Sequence, residues 1–383
     1  WGYGSFAVIS AILTIHILNE KQNASFKMAW LFPVLLFPVF GTLFYVFVQL
    51  QTETKIFARR IEQVKKKTDH YLDQDLDVCK RLELRSRSNS NLSHYMKKSG
   101  GYPTWDRTNF KYFPLGDEFY TDVLQELQKA RRYIFVEYFI ISKGILWDSI
   151  LKILEQKAKE GVEVRILYDG MNSFSNLPHD YPKELEAKGI RCRIFNPIRP
   201  AISTSQNNRD HRKILVIDGH TAYTGGVNLA DEYINRKVRF GHWKDNAIRL
   251  KGEAVRNFTV MFLQMWDVCS KKLDSDFDYS PYLDTGDYFH SPELDMDGFS
   301  IPFSDSPIDG EPVGHQLYLD IIYQAKKYVY IMTPYLVLDD DMITALTYAA
   351  KRGVDTVIIM PHIPDKKSAF MLAHSYYTEL IEA

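Results

Sequence analysis

The 383-residue chain is 45% apolar and 25% charged, with a formal net charge of −1. That is enough apolar sequence for roughly two to three packed domains, and it gives no basic field of the kind that draws a protein onto nucleic acid. Cys79, Cys192 and Cys269 are odd in number and far apart, which argues against a disulfide framework or a cysteine zinc cluster and fits a reducing compartment.

The chain opens on Trp1 and stops inside a helical pattern at Ala383, so it is expected to be a fragment missing both ends. An apolar run, Phe6 to Leu18, is followed by a polar turn, Asn19 to Lys27, and by 23 uncharged residues from Met28 to Leu50. That length matches a bilayer core of about 30 Å, and Pro33, Pro38 and Gly41 are tolerated in membrane helices. Residues 1–52 are therefore expected to form a transmembrane hairpin whose first helix is truncated. Lys55, Arg59, Arg60, Lys65, Lys66 and Lys67 outnumber Lys21 and Lys27, which by the positive-inside bias makes a multi-pass cell-membrane protein with its larger part cytoplasmic. The same cluster suits anionic headgroups, at about 1 kcal/mol per charge, or an ordinary solvated helix face.

Residues 53–104 read as a basic juxtamembrane segment and linker, the Ser- and Arg-rich stretch Arg81 to Gly101 being the linker proper. Residues 105–273 read as a first domain in which helices (118–129, 147–159, 182–188, 254–270) alternate with strands (133–141, 162–168, 191–195, 214–217, 221–224, 245–250). That alternation predicts an α/β sandwich with a mixed sheet. An acidic linker follows over 274–300, and residues 301–383 begin a second domain. Ala130-Arg131-Arg132-Tyr133 returns as Ala325-Lys326-Lys327-Tyr328, and Lys159-Glu160-Gly161-Val162-Glu163 as Lys351-Arg352-Gly353-Val354-Asp355. Two motifs repeated in the same order imply an internal duplication. On that offset the second counterpart of His211 is expected near position 403, past Ala383.

The stretch Asn207 to Asn228 carries the chemistry. Ile214 to Ile217 is a short buried strand closed by Asp218-Gly219. Residues two apart on a strand share a face, so His211 and Lys213 project together. Gly225 and Gly226 permit close backbone approach to an anion, and Asn228 offers an amide. An imidazole can attack phosphorus when one ring nitrogen is unprotonated, Lys213 can hold the charge that accumulates on the phosphoryl oxygens, and a second imidazole could serve as acid and base. No metal or other cofactor is required, because the lysines supply the positive charge. Asp218 completes the catalytic signature, but alternation turns it away from Lys213, so its expected role is to order the turn or pair with a neighbouring base. Arg209 and Arg212 flank His211 and either bind a second phosphate or are solvated. Glu137, alone in an apolar strand, needs a base or a substrate hydroxyl unless it lies on an edge strand. Tyr335 has similar standing, and His220, His242 and His315 read as ordinary histidines.

The string His-x-Lys-x4-Asp-x6-Gly-Gly-x-Asn closely resembles the signature of the phospholipase D superfamily. Together with the N-terminal apolar runs, Arg209-Asp210-His211-Arg212-Lys213, Gly225 to Tyr233, Trp243-Lys244-Asp245 and Thr333-Pro334-Tyr335, it makes the chain similar to bacterial cardiolipin synthases along its length. The resemblance implies duplicated phospholipase D-like α/β domains and transfer of a phosphatidyl group between two phosphatidylglycerol molecules. It also implies His211 as the attacking residue and Asp245 as the carboxylate that orients it. Implied partners are phosphatidylglycerol and other anionic membrane lipids, with no nucleic acid and with a homo-oligomer left open. A hydrolase using the same residues, a nuclease and an inactive membrane scaffold are the competing readings. The spans and the near-zero net charge count against the nuclease.

Overall fold

The computed structural model describes residues 2–20, 24–49, 52–197, 208–270, 278–286, 288, 297–307 and 310–383. Parts of the expected turn 19–27 and acidic linker 274–300, and Asn207, lie outside them. The chain divides into two units, Trp1–Arg60 with Arg199–Asn208, and Ile61–Ile198 with Arg209–Ala383.

The first unit holds α1 (Gly2–Asn19), α2 (Ala24–Leu36) and α3 (Pro38–Gln49). The expected continuous span over Met28 to Leu50 is thus two shorter helices parted at Phe37. Proline is the physical reason: Pro38 has a fixed φ and disfavours helical backbone in the residue before it. α3 folds back on α2, so that the Trp30 ring lies 5.5 Å from Phe44 and 5.3 Å from Tyr45. Ile17, Leu31, Val34 and Tyr45 form the small core that α1 shares with this pair, and the Ser10 hydroxyl donates to the Val34 carbonyl at 2.8 Å. Among the described residues no helix is long and apolar enough to cross a membrane.

α4 (Thr52–Thr68) leads to α5 (Leu76–Arg85) and α6 (Arg87–Tyr95). The stretch expected as a linker is therefore largely helical. Its polar residues serve as caps: Asp75 accepts from the Asp77 amide and Ser86 from the Asn89 amide, while Leu82, Ser93 and Met96 are buried.

The larger unit is built on β1 (Thr108–Phe113), α7 (Gly116–Gln128), β2 (Tyr133–Tyr138), α8 (Ile145–Lys159), β3 (Glu163–Asp169), α9 (Asn172–Ser175), α10 (Tyr181–Glu186), β4 (Arg191–Phe195), β5 (Lys213–Ile217), β6 (Thr221–Gly225), β7 (Ala247–Gly252), α11 (Val255–Val268) and α12 (Ser280–Leu283). The strands make one seven-stranded sheet in the order β1-β7-β6-β5-β2-β3-β4. β2, β3 and β4 run parallel and the remaining pairs antiparallel. This is the mixed α/β sheet expected from the sequence. β2 is central and buried on both faces. Ile134, Val136 and Tyr138 join the core with Phe119, Trp147 and Ile150, and on the other face Phe135 stacks on Phe262 of α11 at 4.5 Å.

The repeat is visible in three dimensions. α13 (Val313–Gln324), β8 (Tyr328–Met332), α14 (Asp340–Lys351), β9 (Asp355–Ile359) and α15 (Lys367–Glu382) follow. β8 and β9 pair in parallel with Tyr328 opposite Asp355, as β2 and β3 do with Tyr133 opposite Glu163. Gly161 and Gly353 both take a φ of 90°. The Glu163 amide donates to the Arg132 carbonyl, and the Asp355 amide to that of Lys327, both at 3.0 Å.

Candidate active site

Lys213 opens β5, with His211 two residues before it, at the end of the sheet where β2 also ends, because Tyr138 pairs with Lys213 in antiparallel register. The next residue of that chain segment, Phe139, packs its ring against His211 at 4.7 Å between centroids. One side of His211 remains open, whereas Lys213 is buried. The Lys213 ammonium donates to the His211 carbonyl at 2.8 Å and lies 3.5 Å from His211 Nδ1. Burial, followed by the charge of Lys213, lowers the imidazole to about 4. Burial also lowers Lys213 to about 8, against the charges of Asp210 and Asp245. At neutral pH the pair is a neutral imidazole beside an ammonium, which is the state required of a nucleophile and its electrostatic partner. Lys366 of the second repeat adds to the positive field at His211, and it lies over the Tyr335 ring at 5.0 Å.

The glycine pair brings a carboxylate in. Gly225 has a φ of +144°, and a Cβ there would meet the Asn246 carbonyl oxygen at 2.5 Å; one on Gly226 would meet Asp245 Oδ1 at 2.4 Å. Asp245 therefore rests on the Gly226 backbone, where burial raises its carboxyl and the charge of Lys213 lowers it. Among the described residues no hydrogen bond or ion pair joins Asp245 to His211. The carboxylate lies close enough for its charge to act on Lys213.

Three further candidate residues are already engaged within the fold. Asn228 is buried and already engaged: its Oδ1 accepts from the Ile140 amide at 3.0 Å and its Nδ2 donates to Tyr233 Oη at 2.8 Å. It ties the glycine loop to the end of β2. Arg209, expected on substrate, donates to the Asn196 carbonyl at 2.9 Å and lies 3.5 Å from Asp169 Oδ1. Asp218 stands at the far end of β5, about 17 Å of strand from Lys213. Its carboxylate accepts from the amides of Arg131, Arg132 and Tyr133 at 2.8, 2.8 and 2.9 Å. It orders the entry to β2, as alternation implied, and does not reach the histidine.

Beneath His211 the sheet carries charges whose pairing the sequence concealed. Glu137 is fully buried on the central strand, not on an edge. Arg212 Nη2 lies 2.6 Å from Glu137 Oε1, and Arg212 Nε donates to Asp210 Oδ1 at 3.0 Å. Burial lifts Glu137 well above the ordinary carboxyl range despite the Arg212 charge, with Asp210 adding to the rise. On the other side, Asp169 Oδ2 accepts from the Asp210 amide at 2.9 Å. Both residues flanking His211 are thus anchored. Asp169 and Phe139 were not singled out from the sequence. Their only signal there is position, at strand ends that parallel and antiparallel pairing bring together. Elsewhere, His315 Nε2 lies 2.9 Å from Asp339 Oδ2, with Asp341 close by, a mostly exposed group that can pair internally.

A family model described as cardiolipin synthase, phospholipase D-like domain, matches residues 123–266 and 318–383. A second, described as phospholipase D-nuclease N-terminal, matches residues 8–49. The chain belongs to the cardiolipin synthase family of phospholipase D-like proteins. Within that family, a cardiolipin synthase of Alkalihalophilus pseudofirmus is 33% identical over all of this chain and 76% of its own length. An uncharacterized protein of Streptococcus mutans is 46% identical over 96% of this chain and 78% of its own. Phosphatidylserine synthase of Haemophilus influenzae shares the fold, with a TM-score of 0.51 at 14% identity over 77% of this chain and 73% of that one. The family matches fall on both copies of the repeat, including β5 and its histidine.

Proposed function

We propose that this family member is a phosphatidyltransferase that makes cardiolipin and glycerol from two molecules of phosphatidylglycerol, working at the cytoplasmic face of the cell membrane. The single observation that carries this reading is His211 held with its Nδ1 3.5 Å from the Lys213 ammonium, at the open end of the sheet. An unprotonated ring nitrogen attacks the phosphorus of the first lipid. A nitrogen–phosphorus bond forms, the bond to the terminal glycerol oxygen breaks, and the departing glycerol takes a proton from an acid. The terminal hydroxyl of a second phosphatidylglycerol then attacks that phosphorus, gives up its proton to the same group, and frees His211. Lys213 holds the phosphoryl oxygens as charge builds on them. The acid and base is assigned to the counterpart of His211 in the second copy of the repeat, and residues 105–273 and 301 onward are read as the two phospholipase D-like domains that contribute one histidine each. Gly225 and Gly226 give the phosphate room at the backbone.

Product analysis of the intact protein with phosphatidylglycerol tests the proposal. Cardiolipin and free glycerol in equal amounts, both lost in His211→Ala, are expected. Phosphatidic acid as the product would make the protein a hydrolase, and undiminished cardiolipin in the variant would remove His211 from the reaction.

A further inference from the structure

Residues 24–49 hold no charge after Lys27, yet they do not form one long helix. α2 and α3 have 13 and 12 residues, or about 20 and 18 Å of helix, too short for a core of about 30 Å and in the range of re-entrant segments. The two run back against one another: a Cβ on Gly41 would sit 2.0 Å from the Pro33 carbonyl oxygen, so only glycine lets the backbones meet. At the reversal Phe32, Leu35, Leu36, Phe37 and Phe40 are each more than half exposed. A buried core helix does not leave five such side chains outside. At the bend the Phe37 amide donates to the Pro33 carbonyl at 3.0 Å and the Gly41 amide to that of Phe37 at 2.7 Å, so helical bonding is carried up to and on from the turn. At the open end basic charges predominate: Lys27 lies in the first turn of α2, and Lys55, Arg59 and Arg60, with Glu53 before them, follow α3.

We infer that α2 and α3 form a re-entrant hairpin that dips into lipid with Phe37 at its tip and returns to the face it left, which puts residues 24–27 and 52–55 on the same side of the membrane. The occupant of the exposed tip is acyl chain, and the basic residues at the base lie among anionic headgroups of one leaflet. This replaces the expected crossing between residues 28 and 50, and it places both basic clusters on one side, as the positive-inside bias favours. It rests on the reading of the protein as a lipid enzyme only in taking lipid as the surrounding medium.

Single cysteines are introduced at Ser25, Thr54 and Phe37 of the full-length protein in sealed vesicles of phosphatidylglycerol and phosphatidylethanolamine. A membrane-impermeant maleimide is added outside, and labelling is read at each peptide by mass spectrometry. Ser25→Cys and Thr54→Cys are expected to be labelled to the same extent in either vesicle orientation, with Phe37→Cys protected in both. Labelling of positions 25 and 54 from opposite faces overturns the inference, as does release of the protein by an alkaline carbonate wash. A Gly41→Leu change in the Thr54→Cys protein forces the helices apart, and unchanged labelling there also contradicts the hairpin. Cardiolipin formation is scored separately on the same vesicles: its absence with same-side labelling removes the transferase reading and leaves the hairpin standing.

Discussion

Lys213 places its ammonium 2.8 Å from the carbonyl of His211 and 3.5 Å from the Nδ1 of the same residue. Burial and the Lys213 charge lower the imidazole, and burial alone lowers the ammonium against the charges of Asp210 and Asp245. His211 at about 4 stays neutral well below the ordinary histidine range, and Lys213 at about 8 loses its charge early for a lysine. This pair contributes an acid limb near pH 4 and an alkaline limb near pH 8 to kcat/KM, beside any limb set by the acid that protonates the departing glycerol. Lys213→Arg, which stays charged, moves the alkaline limb upward. An acid limb near pH 6.5 contradicts the assignment.

The same burial has a stability consequence. The folded value of Lys213, about 8, lies below the usual unfolded value of about 10.4, so at pH 7 folding must carry a charge into a poor solvent for it. That penalty is full below pH 8 and is relieved as pH rises toward 10.5, where the unfolded chain binds the proton and the folded one does not. Lys213→Met is expected to stabilise the protein at pH 7 by on the order of 2 kcal/mol while abolishing transfer. Denaturant unfolding at pH 7 and pH 9.5 checks both, the gain shrinking at the higher pH.

Asp218 gives the opposite pattern. Its carboxylate satisfies three amides at the start of β2, and its own φ is +51°. Asp218→Ala leaves those donors without their acceptor and costs roughly 3 kcal/mol, whereas Asp218→Asn keeps an acceptor and tolerates the left-handed backbone. Turnover per folded molecule stays within about twofold of the parent in either variant. A hundredfold loss in well-folded Asp218→Asn would return the residue to the chemistry.

Glu137 tests how His211 is held. One guanidinium is shared by two buried carboxyl groups, Glu137 and Asp210, and burial pushes Glu137 toward its protonated form. Glu137→Gln therefore keeps most of the activity. Glu137→Leu leaves Arg212 with half its partners and loosens the backbone beside His211, with a fall in kcat of about tenfold or more and a stability loss of about 3 kcal/mol. Equal losses in both variants would mean that the carboxylate form is needed.

Much of this site was legible because it obeys local rules. Period-two alternation put His211 and Lys213 on one face and Asp218 on the other, and the duplicated Ala-basic-basic-Tyr and Gly-Val motifs marked strands that do pair alike. What stayed hidden depends on partners distant in sequence. Arg209 and Arg212 read as solvated or phosphate-binding until strand order set Asp169 and Glu137 beside them. Asp245 lies a short way past the glycines, but that Gly226 makes room for its carboxylate shows only in three dimensions. The apolar count over 28–50 was sound, and the turn at Pro38 came from a backbone term that hydropathy does not weigh.

The central claim is that His211 becomes bonded to phosphorus during turnover. The most direct measurement is an alkaline quench of the intact enzyme within its first turnover of phosphatidylglycerol labelled at phosphorus, followed by peptide mapping. Label on the peptide that contains His211, absent from His211→Ala and discharged when a second phosphatidylglycerol is added, is the result predicted. Cardiolipin formed at full rate with no label on that peptide would contradict the account.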